Sequence, residues 1–231
     1  MKVAVAIFAK TIGLSSVKTR LAAGIGQANA EAFYRLSIAC IREVMDNVIK
    51  QNPNVFPHWV LAEEEAPLRD EWQSFPAIWT GDGGLGMRLA NVSQKLLETH
   101  DAVFLIGTDS PQMTPKRFLE ALQTFQVNPK LQHVAGPATD GGFWLWGSTK
   151  TLPSEVWESV SYSVDTTLEE LIKASNEHGH HVTISHRMQD VDLLEDLATL
   201  QKAFEQKEGL ILPAQRNLLD WLQAHNPTFQ V

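Results

Sequence analysis

Short apolar runs, several of them β-branched, alternate along this chain with segments whose apolar residues recur at helical spacing. That alternation constrains the fold more than any other feature. Val3–Ala9, Phe56–Ala62, Ala77–Trp79, Ala102–Ile106, His133–Ala135, Phe143–Trp146 and His181–Ser185 read as strands. Between the first two, Ala28–Ile49 carries Phe33, Leu36, Ile38, Ile41, Val44, Met45 and Val48 on one broad face, the mark of a long amphipathic helix. Further helices are expected over Met87–Thr99, from a Thr114 cap with Pro115 to about Phe125, over Asp165–His178, from about Leu193, and over Leu212–Ala224. Strand followed by helix, repeated, predicts an α/β fold: a mainly parallel sheet with helices on both faces.

No repeat or linker interrupts the 231 residues, so a single domain over 1–231 is expected, with 208–231 a C-terminal helical extension packed on its outside. A formal charge of −8 argues against non-specific nucleic-acid or anionic-membrane binding, while leaving room for a small anionic ligand held by a few local bases. One cysteine, Cys40, excludes an internal disulfide framework and a cysteine-based zinc site. The apolar run after Met1-Lys2 is too short for a signal peptide, and no run approaches a membrane span of roughly 20 residues. A cytoplasmic protein, monomeric or homodimeric, is expected.

The candidate chemistry follows the strands. Ala102–Ile106 is apolar throughout and ends in Gly107-Thr108-Asp109-Ser110-Pro111, which delivers a carboxylate to the strand's C-terminal edge. Ligands of open α/β sheets collect there. Asp109 either caps the following turn or serves a ligand. Lys10, Lys18 and Arg20 flank a Gly/Ser-rich loop that opens a helical turn, an arrangement suited to a di- or triphosphate. Neither the Walker nor the dinucleotide glycine pattern is present in that loop. Thr80–Gly86 holds four glycines close to Arg88, and reads as a bare turn or a surface for a base or ribose. Asp140 lies in Thr-Asp-Gly-Gly, itself a good hairpin turn, and Asp190 and Asp192 read as helix caps or as acids sharing a crevice with Asp109. Carboxylates from several strand ends can hold Mg²⁺ (or Mn²⁺). Glu63-Glu64-Glu65 reads as the start of a solvated helix, His178, His180 and His181 as surface residues, and Trp144 and Trp146 as sharing one face of a strand.

Four motifs occur in a fixed order: Phe8-Ala9-Lys10…Val17-Lys18-Thr19-Arg20-Leu21, Gly84-Leu85-Gly86-x-Arg88, Ile106-Gly107-Thr108-Asp109-Ser110-Pro111, and Gly136-Pro137-Ala138-Thr139-Asp140-Gly141-Gly142-Phe143. With Gln189-Asp190-Val191-Asp192, they resemble the radical-SAM/selenodomain-associated transferase family of the nucleotide-diphospho-sugar transferase (GT-A) superfamily. The Lys-Thr-Arg-Leu element is also similar to the phosphate loop of 2-phospholactate guanylyltransferases. In the first loop Thr11-Ile12-Gly13-Leu14-Ser15-Ser16 stands where the family usually has prolines.

The resemblance implies a GT-A-like (Rossmann-like) sheet with the nucleotide at its N-terminal half. Ala9, Lys10, Lys18, Arg20, Gly84, Leu85, Gly86, Arg88 and Thr108 would bind the nucleotide, and Lys18, Arg20 and Asp109 would be catalytic. Asp109 and Asp192 would hold the metal, and Asp140, Gly141 and Gly142 would face the acceptor. The expected activity is a Mg²⁺-dependent transferase using a nucleotide-activated substrate and an unknown small-molecule acceptor. Attack on the α-phosphate of an NTP leads. Sugar transfer from a nucleotide-sugar is the alternative, and a non-catalytic nucleotide-binding module is the third reading.

Overall fold

In a computed structural model of the chain, described over residues 1–128, 130–206 and 211–225, seven strands form one sheet. They are β1 (Val3–Ala9), β2 (Val55–Leu61), β3 (Ala77–Trp79), β4 (Ala102–Ile106), β5 (His133–Pro137), β6 (Phe143–Ser148) and β7 (Val182–Ile184). Their spatial order is β3-β2-β1-β4-β6-β5-β7. Only β6 runs against its neighbours β4 and β5; β1 pairs in parallel with β2 and β4. The mainly parallel α/β sheet expected from the alternation is thus observed.

The helices are α1 (Thr19–Ile25), α2 (Gln27–Gln51), α3 (Leu85–Leu97), α4 (Pro115–Val127), α5 (Ser154–Glu158), α6 (Thr167–Glu177), α7 (Leu194–Glu205) and α8 (Pro213–His225). Side chains alternate faces along a strand, so β1 feeds two cores at once. Val3, Val5 and Ile7 join Trp59, Phe104 and Phe118 beneath α2 and α4. Ala4 and Ala6 join Leu105, Trp146 and Trp157 beneath α3, α5 and α6. A third cluster, Leu21, Phe33, Leu200 and Leu218 among its members, fastens α1, α7 and α8 to the outer side of α2. Cys40 is buried within it. Among the described residues no helix is long and apolar enough to cross a membrane. The expected 208–231 extension is described only as far as α8, since 207–210 and 226–231 lie outside the described residues.

Three expectations need correction. Glu63–Glu65 starts no helix: two 3₁₀ turns, Ala66–Leu68 and Asp70–Trp72, follow instead. They bury Ala66 and Trp72 in the sheet core, and tertiary packing outweighs the local preference of three acids for a helix N-terminus. Trp144 and Trp146 lie in different cores. Gly136 pairs with Leu145 but Pro137 pairs with Phe143, so a bulge at Trp144 puts two residues of β6 against one step of β5 and turns Trp144 over. Finally, His180 is half-buried, its Nδ1 lying 3.0 Å from Nε2 of the fully buried His133. His178 and His181 are exposed as expected.

Candidate active site

The sheet's strand order reverses direction between β1 and β4, and a ligand crevice forms beyond the carboxyl ends at such a point. Two cavities open there. The first, about 400 Å³, is lined by Ala9, Lys10, Lys18, Arg20, Leu85, Arg88, Thr108 and Asp109, among others. The second, about 260 Å³, extends toward β5 and β6 past Asp140, Gly142 and Trp144. Phe8, Leu85, Gly107, Asp109 and Asp192 line both, so the cavities share one wall.

Lys18 lines the first cavity and braces the acids of that wall. Its backbone takes the left-handed conformation (φ 47°, ψ 42°), rare for a residue with a Cβ and costing of order 1–2 kcal/mol. The side chain is only 4% exposed, and its ammonium lies 2.6 Å from Asp109 Oδ1 and 2.9 Å from Asp192 Oδ1. It also donates to the Val191 carbonyl. Three donors therefore meet three acceptors. Burial opposes the charge, but Asp109 and Asp192 outweigh it and hold the amine above its ordinary pKa. Lys18 is thus committed to carboxylates. Arg20, more than half exposed, reaches Asp192 Oδ2 at 3.5 Å and has N–H groups to spare.

Asp192 belongs to a segment laid across the crevice. Val191 N–H donates to the Asp109 carbonyl, Met188 N–H to Pro137, and Ser110 Oγ to the Gln189 carbonyl. Asp196 takes the N–H groups of Asp192 and Leu193, so it, and neither Asp190 nor Asp192, caps α7. Asp190 and Asp192 are thereby left facing Asp140, with carboxylate oxygens of all three within 4.8 Å of one another. Asp190 accepts from Thr139 Oγ at 2.9 Å. Asp140 accepts from Gly142 N–H at 2.8 Å, the expected turn, so this residue serves both turn and cluster. Burial, followed by the charges of Asp190 and Asp192, holds the Asp140 carboxyl above its usual range. The cluster contains Asp192, while Asp109 reaches it through Lys18.

The first loop is braced from below. Tyr34 of α2 accepts from Lys10 N–H at 2.8 Å and donates to the Lys10 carbonyl at 3.1 Å. Its hydroxyl is pushed up to about 12, chiefly by burial. Thr11, fully buried, donates its N–H to Glu63 and accepts from Trp72 Nε1. Ser37 of α2 donates to the Thr108 carbonyl at 2.6 Å, fixing the turn that carries Asp109. Tyr34, Ser37 and Glu63 were not among the residues expected at the site. Tyr34, Ser37 and Ile41 do recur at helical spacing on the sheet-facing side of α2, which is the signal available in the sequence.

The glycine loop divides its tasks. Gly81 and Gly83 take positive φ, and Gly84 caps α3. A Cβ at Gly86 would lie 2.4 Å from the Trp157 carbonyl oxygen, so this glycine permits α3 to pack on α5. Leu85 and Arg88 face the first cavity, and Arg88 Nε donates to the Gly83 carbonyl at 2.9 Å. Gly141 (φ 93°) is likewise pressed against the Asp165 backbone, leaving Asp140 and Gly142 on the second cavity.

Residues 55–164 match the model of the family described as "Uncharacterized protein conserved in bacteria (DUF2064)". No curated protein matches the chain. Among solved structures, a candidate nucleotide-diphospho-sugar transferase from Desulfovibrio desulfuricans G20 superposes with a TM-score of 0.84 at 20% identity, over 100% of this chain and 99% of that one. A cytidylyltransferase from Leptospira borgpetersenii serovar Hardjo-bovis gives 0.56 at 12% identity, covering 99% and 96%. CMP:2-keto-3-deoxy-manno-octonic acid synthetase complexed with CTP gives 0.50 at 13% identity, covering 89% and 99%. The fold is accordingly of the GT-A type.

Proposed function

We propose that this chain is a divalent-cation-dependent nucleotidyltransferase. The observation that carries the reading is the sorting of charge across the shared wall. Lys10, Arg20 and Arg88 all line the first cavity, acids line the wall itself, and none of the described residues lining the second cavity is lysine or arginine. A triphosphate is matched by the first cavity and an uncharged group by the second. The fold likeness to two cytidylyltransferase-type structures supports this reading, as does the resemblance of the first-loop motif to a phosphate loop.

Asp140, Asp190 and Asp192 fit Mg²⁺ or Mn²⁺, hard ions that take carboxylate oxygens, because all three bring a carboxylate oxygen within 4.8 Å of the others. Such an ion, when bound there with Asp109 nearby, would supply neutralising charge to the phosphates. Lys10 and Arg20 would hold the β- and γ-phosphates, with Arg88 and Leu85 toward the nucleoside. An acceptor in the second cavity forms a bond from its oxygen or nitrogen to the α-phosphorus, as the bond to the β-phosphate oxygen breaks. Pyrophosphate leaves on the basic side, and the acceptor's proton passes to a carboxylate of the shared wall. Holding both reactants across one wall, in a field already arranged, accounts for most of the rate such a site can supply. Lys18 acts as a positioning residue that fixes Asp109 and Asp192 in place.

Glycosyl transfer is the second reading, and the nucleotide-diphospho-sugar transferase likeness at TM-score 0.84 favours it. Incubation of the purified chain with each NTP, MgCl₂ and a small-molecule extract separates the two. Nucleotidyl transfer predicts pyrophosphate release that depends on both extract and cation. Release of a nucleoside diphosphate from a nucleotide-sugar, with no pyrophosphate from any NTP, would contradict it.

A further inference from the structure

Three oxygens converge on the Lys18 ammonium: Asp109 Oδ1 at 2.6 Å, Asp192 Oδ1 at 2.9 Å and the carbonyl oxygen of Val191. Two carboxylates and a backbone carbonyl are the kind of donor set that a hard divalent ion takes. An amine stands at their focus instead, and the fold fixes it there. Its stem is buried, its backbone is held left-handed, and its carbonyl accepts Ala22 N–H at 2.8 Å where α1 begins. The oxygens are fixed as well, because Val191 N–H donates to the Asp109 carbonyl at 2.9 Å. With three acceptors for three ammonium hydrogens, Lys18 has none left for a phosphate.

Charge points the same way. Asp109, Asp140, Asp190 and Asp192 all line the second cavity and carry four negative charges when ionised. Lys18 and Arg20 answer two of them, at Asp109 and Asp192. One divalent ion answers the rest, and the oxygens grouped for it are those of Asp140, Asp190 and Asp192. A second ion between Asp109 and Asp192 would have to expel a buried ammonium, and breaking such a pair is costly.

Resting on the placement of a cation among Asp140, Asp190 and Asp192, we propose that Lys18 occupies the place of a second ion. Its ammonium is a permanent cation between Asp109 and Asp192, so the site draws a single divalent ion from solution. Asp192 is shared between the built-in cation and the recruited one.

Mn²⁺ alone, titrated into the full chain without nucleotide and counted by the EPR signal of the free ion, tests this. Wild type should bind one ion per chain. Lys18→Gly removes the amine and suits the left-handed backbone, and should bind two. Adding Asp109→Asn to Lys18→Gly should return the count to one. Asp109→Asn alone should leave the single ion bound, while Asp190→Asn should weaken it at least about tenfold, since even a supporting partner of a metal ligand is worth that much. Two ions on wild type, one ion on folded Lys18→Gly, or loss of the ion in Asp109→Asn would each overturn the proposal. The wild-type and Asp109→Asn counts decide even if Lys18→Gly does not fold. No ion on wild type would overturn the cation placement itself, and the proposal with it. Nucleotide binding plays no part in the counts, so its failure would be a separate result.

Discussion

The ammonium of Lys18 lies 2.6 Å from Asp109 Oδ1, and both residues belong to segments that end a strand of the same sheet. A basic group read from sequence as a phosphate grip is, in the folded chain, the cation that holds an acidic wall together. Removing it leaves Asp109 and Asp192 with only Arg20, 3.5 Å from Asp192 and more than half exposed, as a counter-ion. Loss of one partner from a buried pair costs about 3–5 kcal/mol, and the half-exposed Asp109 reduces that through solvent screening. Lys18→Met is expected to lower stability by about 1–3 kcal/mol in chelator, with a larger stabilisation by MgCl₂ than wild type shows. Chemical denaturation with and without the cation checks both.

Tyr34 holds the first loop through both backbone groups of Lys10. Tyr34→Phe keeps the ring and removes those bonds, at a cost of about 1–2 kcal/mol for a partly buried N–H left unmatched. Nucleotide affinity should fall several-fold as the loop loosens. Because the hydroxyl is pushed up to about 12, wild-type affinity should show no titration from this group between neutral pH and 10. Calorimetry at several pH values checks the pair of outcomes.

The fold was legible because buried strands are apolar runs and helices repeat every three to four residues, as β4 and α2 show. Candidate residues were legible at strand ends, where Asp109, Asp140 and Asp192 stand on a common crevice. Their partners were not. Nothing in the spacing of Lys18 and Asp192, 174 residues apart, announces a contact, and the bulge that turns Trp144 depends on how β5 meets β6. The role of Gly86 was equally hidden, because a glycine that admits a neighbouring backbone and one that admits a ligand look alike in sequence.

Gly86→Ala separates those two roles. The added Cβ would meet the Trp157 carbonyl oxygen at 2.4 Å, and backbone cannot swing aside as a side chain would. Overpacking of this kind costs about 1–3 kcal/mol. Thermal melting should register that loss, while nucleotide affinity of the folded fraction should stay within about twofold of wild type, since one twofold change is only about 0.4 kcal/mol.

His133 is fully buried between Ser148 and His180, and burial, then the charges of His180 and Lys150, push its pKa down to about 3 from 6.5. Between those values the unfolded chain binds a proton that the folded chain refuses. Stability is therefore present in full above pH 6.5 and falls as pH drops toward 3. The slope is at most about 1.4 kcal/mol per pH unit from this residue. Urea denaturation of His133→Asn across that window should give a flatter dependence than wild type.

Calorimetric titration of an NTP panel and a nucleotide-sugar panel into wild type and Asp192→Asn, with and without MgCl₂, tests the central claim most directly. Asp192 is on both cavities and in the carboxylate cluster. The account predicts that at least one NTP binds, that binding tightens at least about tenfold with the cation, and that Asp192→Asn abolishes this gain, a difference of about 1.4 kcal/mol or more. Binding of nucleotide-sugars alone, or NTP binding indifferent to both the cation and Asp192, would contradict it.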